Sequence, residues 1–282
     1  MTTSVFLAIL AAAALHAGWN ALVRVNLDRL LAITLIQIGS GGLALLGLAF
    51  VPVPVRAAWP WLALSAVMHI GYNVYLARAY RIGELGQVYP VARGAAPLLV
   101  TLVSVMWLGD PLAPAEVSGV LVLVGGIVTM AFVGGRRGAA PIDRRTIGCA
   151  LMTACFIAAY TLSDGAGARI NGHAPGYALW LFAVNGLVMG GMLWRLRGRR
   201  ALAALSGYWR VGLGGGAMSL LAYGIVIWAM SRAPMALVAA LRESSILFAL
   251  LIATLWLKEP LGRGRVLAAG MMLAGMVVMR LS

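Results

Sequence analysis

The segment Trp107-Leu-Gly-Asp-Pro-Leu112 recurs 149 residues later as Trp256-Leu-Lys-Glu-Pro-Leu261, and the same offset pairs Arg93 with Arg242. A Trp-Leu-x-acid-Pro-Leu pattern is hard to obtain twice by chance in apolar sequence. It therefore indicates an internal duplication, since repeats at a fixed offset are the mark of a repeated structural unit. The alternative is a general helix-end motif that is used twice.

The composition around these two segments is that of a membrane protein. Of the 282 residues, 62% are apolar and 11% are charged, against about 25% charged residues in soluble domains. This balance excludes a soluble globular protein and a disordered chain, and two cysteines are too few for a disulfide scaffold. We predict an all-α polytopic membrane protein.

Ten apolar stretches have about the 20 residues that a helix needs to cross the hydrocarbon core. They lie at 4–23, 30–51, 59–79, 84–108, 114–133, 146–168, 175–194, 211–231, 234–257 and 262–281. The duplication divides them into two five-helix repeats, 1–135 and 146–282, joined by a basic linker at 136–145. Because five is an odd number, the two repeats must be inverted relative to each other in the membrane.

The basic residues predict the orientation of the chain. Of 22 Lys and Arg residues, sixteen fall in loops after the odd-numbered spans and four on the other side. The positive-inside rule then places the sixteen in the cytoplasm and both termini in the periplasm of a bacterial inner membrane. The net charge of +14 is spread over these membrane-flanking loops, so we expect no nucleic-acid partner.

With ten spans, a five-plus-five duplication and the motifs Gly109-Asp-Pro-Leu112 and Lys258-Glu-Pro-Leu261, the chain resembles the EamA type of the drug/metabolite transporter superfamily. Many members have Gly-Glu-Pro here, so Asp110 and Lys258 are departures. The resemblance covers the whole chain and implies helices around a central cavity. It also implies a carrier of small metabolites, as in the YddG-type amino-acid exporters, without fixing the substrate.

Two arginines lie well inside predicted spans, where an ionised group is costly. Arg93 and Arg242 match at the repeat offset, so the inverted repeats should bring them close to one axis. They suit a site for a carboxylate, which the forked guanidinium binds well. The alternative is a structural pairing with Glu243 or Asp164. Two unshielded arginines would repel each other, which argues that at least one of them is paired.

Glu243 and Asp164 are the acids placed inside predicted spans. A carboxyl group in apolar surroundings takes up a proton more readily than one in water, so both are candidates for proton coupling. The alternative is that each stays ionised in a salt bridge to an arginine.

Two prolines interrupt the fourth predicted span. Pro90 and Pro97 flank Arg93, and each removes a helical hydrogen bond and bends the helix. The second repeat has Ala239 and Ile246 at the matching positions. We therefore expect an asymmetric hinge at Pro90 and Pro97.

Spans 1 and 3 share the patterns His16-Ala-Gly-Trp-Asn20 and His69-Ile-Gly-Tyr-Asn73, which put imidazole, ring and amide on one helical face. Such a stripe suits a cavity wall or helix–helix contacts. The predicted cavity residues are Trp19, Asn20, His69, Tyr72, Asn73, Tyr75, Tyr89, Arg93, Tyr160, Trp180, Tyr223, Trp228 and Arg242. We expect no metal site, no cofactor and, without a phosphate-binding loop, no ATP-driven pumping.

These features predict a secondary transporter or facilitator for small amphipathic metabolites, most plausibly amino acids. Alternating access of the two inverted repeats would carry the substrate, and export is preferred by the resemblance alone. The alternatives are a quaternary-amine or drug exporter, a membrane sensor without flux, and an intramembrane enzyme; we expect no enzymatic activity. One chain with two repeats forms a complete pathway in the lipid, which favours a functional monomer.

Overall fold

The computed structural model describes residues 1–22, 29–82, 85–134, 143–255, 258 and 262–282, and this part of the chain is helical without strands. Six apolar segments of it are long enough to cross a membrane by length and composition. Shorter apolar helices cover Val91–Trp107 and Pro114–Met130. The fold is that of a multi-pass helical membrane protein.

The helices follow the predicted stretches closely. In the first half they are α1 Thr3–Leu22, α2 Arg29–Gly47, α3 Trp59–Ile82, α4 Leu85–Trp107 and α5 Pro114–Gly134. In the second half they are α6 Arg144–Asn171, α7 Ala174–Leu205, α8 Trp209–Met230, α9 Met235–Arg242, α10 Ser245–Leu255 and α11 Arg263–Leu281. Short 3₁₀ turns lie at Leu48–Phe50, Arg56–Ala58 and Ser206–Tyr208.

The predicted stretch 234–257 is two helices rather than one. α9 ends at Arg242 and α10 begins at Ser245, and around the break the backbone bonds span three residues. Glu243 N donates to Ala240 O at 3.0 Å, and Ile246 N donates to Glu243 O at 3.0 Å. These shorter backbone bonds interrupt the helix inside the protein, and the side chains at the break make polar contacts.

The basic segment at 195–210, predicted as a loop, is largely helical, because α7 continues to Leu205. The chain turns inside α7 at Gly198, whose φ of 74° lies in the region that favours glycine. Beyond the turn, Leu205 packs with Leu193 and with Leu35 of α2. The segment after Gly198 is rich in Ala and Leu, which are strong helix formers, and the sequence-based interpretation overlooked this.

Small residues let α5 and α11 approach closely. A Cβ added at Gly275 of α11 would lie 2.5 Å from Gly119 O and 2.6 Å from Leu123 N of α5. Backbone atoms cannot give way as a flexible side chain can, so only glycine fits there. Small residues at such crossings are typical of helices that pack in a membrane.

α9 lies at the centre of the protein. Each of its residues from Met235 to Arg242 is buried, and it packs against α1, α4, α5, α6 and α8. By contrast, large apolar side chains project outward from other helices, such as Phe132 at 78% and Leu255 at 76% exposure. An outer surface of this kind suits lipid rather than water.

Replacing Gly275 by Ala should lower the free energy of unfolding by about 1–3 kcal/mol, because the added methyl group overpacks the contact between α5 and α11. Denaturant unfolding in detergent micelles measures the change. Gly270→Ala on the same helix is the control, since a Cβ there meets no atom within 4 Å and gains helix propensity. Equal stability of the two variants would contradict this packing.

Candidate functional site

A buried charge cluster lies where α4 meets the break between α9 and α10. Arg93 Nε of α4 lies 2.7 Å from Glu243 Oε2, and Arg242 Nη2 lies 3.8 Å from Glu243 Oε1. All three residues are buried, with Glu243 at 0% exposure. Arg93 is therefore paired with Glu243, one of the two partners that the structural alternative names, and both arginines contact the same carboxylate.

Some polar groups of the cluster have no hydrogen-bond partner among the described residues. Arg93 Nη2 donates to Ser245 Oγ at 3.1 Å, which ties α4 to the start of α10. Arg242 Nε and Ser244 Oγ are buried and have no hydrogen-bond partner among the described residues. Two guanidinium groups facing one carboxylate leave an excess of positive charge, so this end of the site can accept an anionic group.

A cluster of aromatic side chains from α3, α6 and α8 forms the next part of the site. The rings of His69 and Tyr160 stack with their centroids 4.1 Å apart. Tyr160 meets Tyr72 edge-on at 5.9 Å and Tyr223 edge-on at 6.0 Å. Phe182 of α7 lies beyond Tyr223 at 6.2 Å. The cluster offers flat surfaces for an apolar or cationic group.

Asp164 of α6 forms the opposite end of this arrangement. Its side chain is fully buried, and it accepts a hydrogen bond from Tyr223 Oη at 2.7 Å and one from Tyr177 Oη at 3.4 Å. Ser65 Oγ of α3 lies 3.3 Å from His69 Nδ1, on the His69 side of this end. Among the described residues, the Asp164 carboxyl group is held by hydrogen bonds from neutral tyrosine hydroxyl groups.

Tyr223 connects the two ends of the site. Its hydroxyl group binds Asp164, and the guanidinium carbon of Arg242 lies 5.9 Å from the centre of its ring. One side chain therefore has a carboxyl group at its edge and a cation at its face. A carboxyl group and a guanidinium group are therefore separated by a single aromatic ring.

The repeated motif has a structural role at one end of the molecule. Asp110 accepts two hydrogen bonds from Arg169 at 2.9 Å each, and it also accepts one from Met235 N, at the start of α9, at 3.2 Å. Arg169 further donates to Met230 O and Ala233 O. The acid of the motif thus fixes the first turn of α9, and with it the depth of Arg242 and Glu243.

Other predicted cavity residues make contacts with different partners. Asn73 donates to Met189 Sδ of α7, and Asn20 donates to the His16 carbonyl on its own helix. Trp19 packs edge-on against His16 at 5.2 Å. Further contacts join Tyr75 to Phe156, Trp180 to Trp59, and Trp228 to the guanidinium of Arg232. The side chain of Tyr89 is not among those that the structure describes.

α4 is continuous through Pro90 and Pro97. The described break in helical bonding near the site lies instead after Arg242, so a hinge at the two prolines stays a prediction. No group of three or more His, Cys, Asp or Glu side chains that could hold a metal occurs in the described part of the chain.

The sequence-based interpretation missed four residues of the site: Tyr177 beside Asp164, Ser65 beside His69, Ser245 beside Arg93, and Arg169 beside Asp110. Ser65 could have been found, because it precedes His69 by four residues and so shares its helical face. The others come from distant parts of the chain, and no local spacing indicates them.

Replacing Glu243 by Gln should cost about 3–5 kcal/mol of unfolding free energy, because two buried guanidinium groups lose their counter-charge. The double variant Arg93→Gln/Glu243→Gln removes one of these charges as well. It should be less destabilised than the sum of the two single variants, as a double-mutant cycle in denaturant measures. Additive effects would mean that the pair is not coupled.

Replacing Asp110 by Asn should lower the unfolding free energy by about 1–3 kcal/mol, because Arg169 and the first turn of α9 lose a charged acceptor. Denaturant unfolding in micelles measures it. Asp143→Asn is the matched control, since Asp143 is exposed and its side chain makes no capping bond to α6. Unchanged stability of Asp110→Asn would contradict the role assigned to the motif.

The comparisons with known proteins agree with this architecture. A chain with a solved crystal structure superposes with a TM-score of 0.76 at 19% sequence identity, over 98% of this chain and 96% of the other. At this identity the likeness shows the fold alone. The model of the EamA-like transporter family matches residues 145–281. Residues 145–281 therefore belong to the EamA-like transporter family of the drug/metabolite transporter superfamily, whose members are membrane transporters.

Proposed function

We propose that the chain is a secondary transporter of ten spans, with two inverted five-helix repeats at 1–135 and 146–282 joined by the linker 136–145. The repeated motif and the odd number of spans in each half support the inversion. Arg93 and Arg242 occupy equivalent positions, and Arg93 contacts Glu243, the residue that follows Arg242, as expected when equivalent helices face each other across a pseudo-two-fold axis.

The proposed orientation has both termini in the periplasm of a bacterial inner membrane. The distribution of basic residues supports it, and so does a contact between the ends of the chain, in which Arg280 donates to Met1 O at 3.2 Å. Val55 N also donates to Asn171 Oδ1 at 3.1 Å, which brings together two loops that the scheme assigns to the periplasm. A single chain contains both repeats, which supports a functional monomer.

The substrate that best fits the site is a zwitterionic amino acid. The observation that carries this proposal is Tyr223, which touches Asp164 through its hydroxyl group and Arg242 through its ring. A substrate carboxylate would bind Arg242 and Arg93 in competition with Glu243, and its ammonium group would lie toward Asp164. The rings of His69 and Tyr160 would contact an apolar side chain.

The polar contacts suggest how the site alternates between the two sides. The Asp110–Arg169 ion pair closes the end of the helices that the scheme places in the periplasm. The break after Arg242 offers a point at which α9 and α10 can change their relative angle. Amino-acid export, rather than import, rests on the resemblance to exporters of this superfamily.

Of the two buried acids, Asp164 is the better candidate for proton coupling. Glu243 lies between two guanidinium groups, which favour its ionised form. Asp164 is bonded by neutral hydroxyl groups, so it can gain and lose a proton without breaking an ion pair.

A second candidate substrate is a quaternary amine. The rings of His69, Tyr72 and Tyr223 surround that of Tyr160, and Tyr223 bonds the carboxyl group of Asp164. Aromatic rings beside a carboxyl group suit an organic cation. The excess positive charge at Arg93 and Arg242 opposes this candidate, which makes it the weaker one.

The test is counterflow of radiolabelled leucine, phenylalanine and tetramethylammonium in proteoliposomes of the purified protein. Amino-acid flux should fall by about tenfold or more in Arg242→Gln, which loses a charged donor, while the Arg93–Glu243 pair keeps the protein folded. Tyr223→Phe should also transport more slowly, and Tyr208→Phe serves as its control away from the site. Tetramethylammonium flux without amino-acid flux would overturn the proposal in favour of the second candidate.

The variant Asp164→Asn tests proton coupling of amino-acid flux in the same proteoliposomes. If Asp164 carries the proton, an imposed pH gradient should accelerate amino-acid flux in the wild-type protein and leave the variant unaffected. Acceleration of the variant to the same extent would contradict this role for Asp164.

A further inference from the structure

A cleft lies on the outer surface, and its lining contains none of the residues of the charge cluster. The cleft has a volume of about 510 Å³ and lies between α3 and α6, lined by Tyr75, Arg78, Ile82, Arg145, Cys149 and Met152 together with Gly148. Tyr75, Arg78 and Ile82 are three and four residues apart on α3, so they share one helical face. The residues from α6 are spaced in the same way.

The cleft is charged at one end and apolar at the other. Arg78 and Arg145 lie near the end of α3 and the start of α6, respectively, and both are exposed. Met152 lies seven residues into α6 from Arg145, about 10 Å deeper at the rise of a helix. Of the described residues that line the cleft, none is acidic.

Neighbouring residues shape the cleft. The guanidinium of Arg78 lies over the Tyr75 ring at 5.4 Å, and that ring stacks on Phe156 at 5.4 Å. A Cβ added at Gly148 would meet no atom within 4 Å, so the glycine leaves open space between the two arginines and the apolar end. The contact with Phe156 fixes the ring that orients Arg78.

We propose that this cleft binds an anionic phospholipid, with the headgroup phosphate on Arg78 and Arg145 and an acyl chain along Cys149 and Met152. Its lining includes the exposed apolar side chains of Ile82 and Met152, and its two arginines, with no acid among the described lining residues, complement a phosphate. Basic clefts between transmembrane helices bind such headgroups. The inference is independent of the transported substrate, because it requires only that the protein lies in a membrane.

The experiment is native mass spectrometry of the detergent-purified full chain, titrated with phosphatidylglycerol or phosphatidylcholine. We expect one phosphatidylglycerol to remain bound where phosphatidylcholine does not. Arg78→Gln/Arg145→Gln should weaken that binding by about tenfold or more. The matched control is Arg195→Gln/Arg199→Gln, which removes two exposed arginines from α7 and leaves the cleft intact. An equal loss in both double variants would overturn the proposal, because it would reflect general electrostatic attraction.

Two further measurements extend the experiment. One tests whether the shape of the cleft matters as well as its charge, and the other tests whether a free phosphate group binds as the lipid does. Gly148→Leu keeps both arginines but fills the open space, and it should weaken phosphatidylglycerol binding as the Arg78→Gln/Arg145→Gln variant does. Glycerol phosphate should bind far more weakly than the lipid because it lacks the acyl chains. Lipid binding unaffected by Gly148→Leu, or glycerol phosphate binding as tightly as the lipid, would contradict the assignment.

Discussion

Glu243 is shared between two buried guanidinium groups, those of Arg93 and Arg242. Removing each ion from water costs several kcal/mol, so the helices must pack in a way that keeps the three charges together. α9 is buried along its whole length, and the helix breaks directly after Arg242, where Glu243 turns toward α4. The position of α9 in turn depends on Asp110, which binds its first turn from the other end.

The same constraint organises the candidate binding site. One carboxylate between two arginines leaves a positive charge that a substrate anion can neutralise, and the carboxyl group of Asp164 lies beyond Tyr223, where it can face a cationic group. A ligand that carries both charges can satisfy both ends of the site without leaving an uncompensated ion in an apolar region. This electrostatic match is the reason why we propose a zwitterion rather than a simple cation.

Hydrophobic run lengths predicted helix positions to within a few residues for most stretches, because bilayer thickness dictates them. They could not predict the break after Arg242, since the stretch 234–257 reads as one apolar run apart from its charges. The pairing of Arg93 with Glu243 was one of the alternatives the sequence left open, because only these few charges lie inside predicted spans. Partners such as Arg169 for Asp110 depend on tertiary packing between distant segments, which periodicity does not encode.

We propose that the two halves of the chain have opposite orientations, which would bring the helices of Arg93 and Arg242 to one carboxylate. Ala113 and Gly262 occupy equivalent positions, 149 residues apart, and both are exposed. The direct measurement is labelling of Ala113→Cys and Gly262→Cys in whole cells with a membrane-impermeant maleimide, after Cys149 and Cys155 are replaced by Ala. Opposite orientations predict that Ala113→Cys is labelled from outside and Gly262→Cys only after the membrane is opened. Labelling of both from the same side would contradict the inverted arrangement.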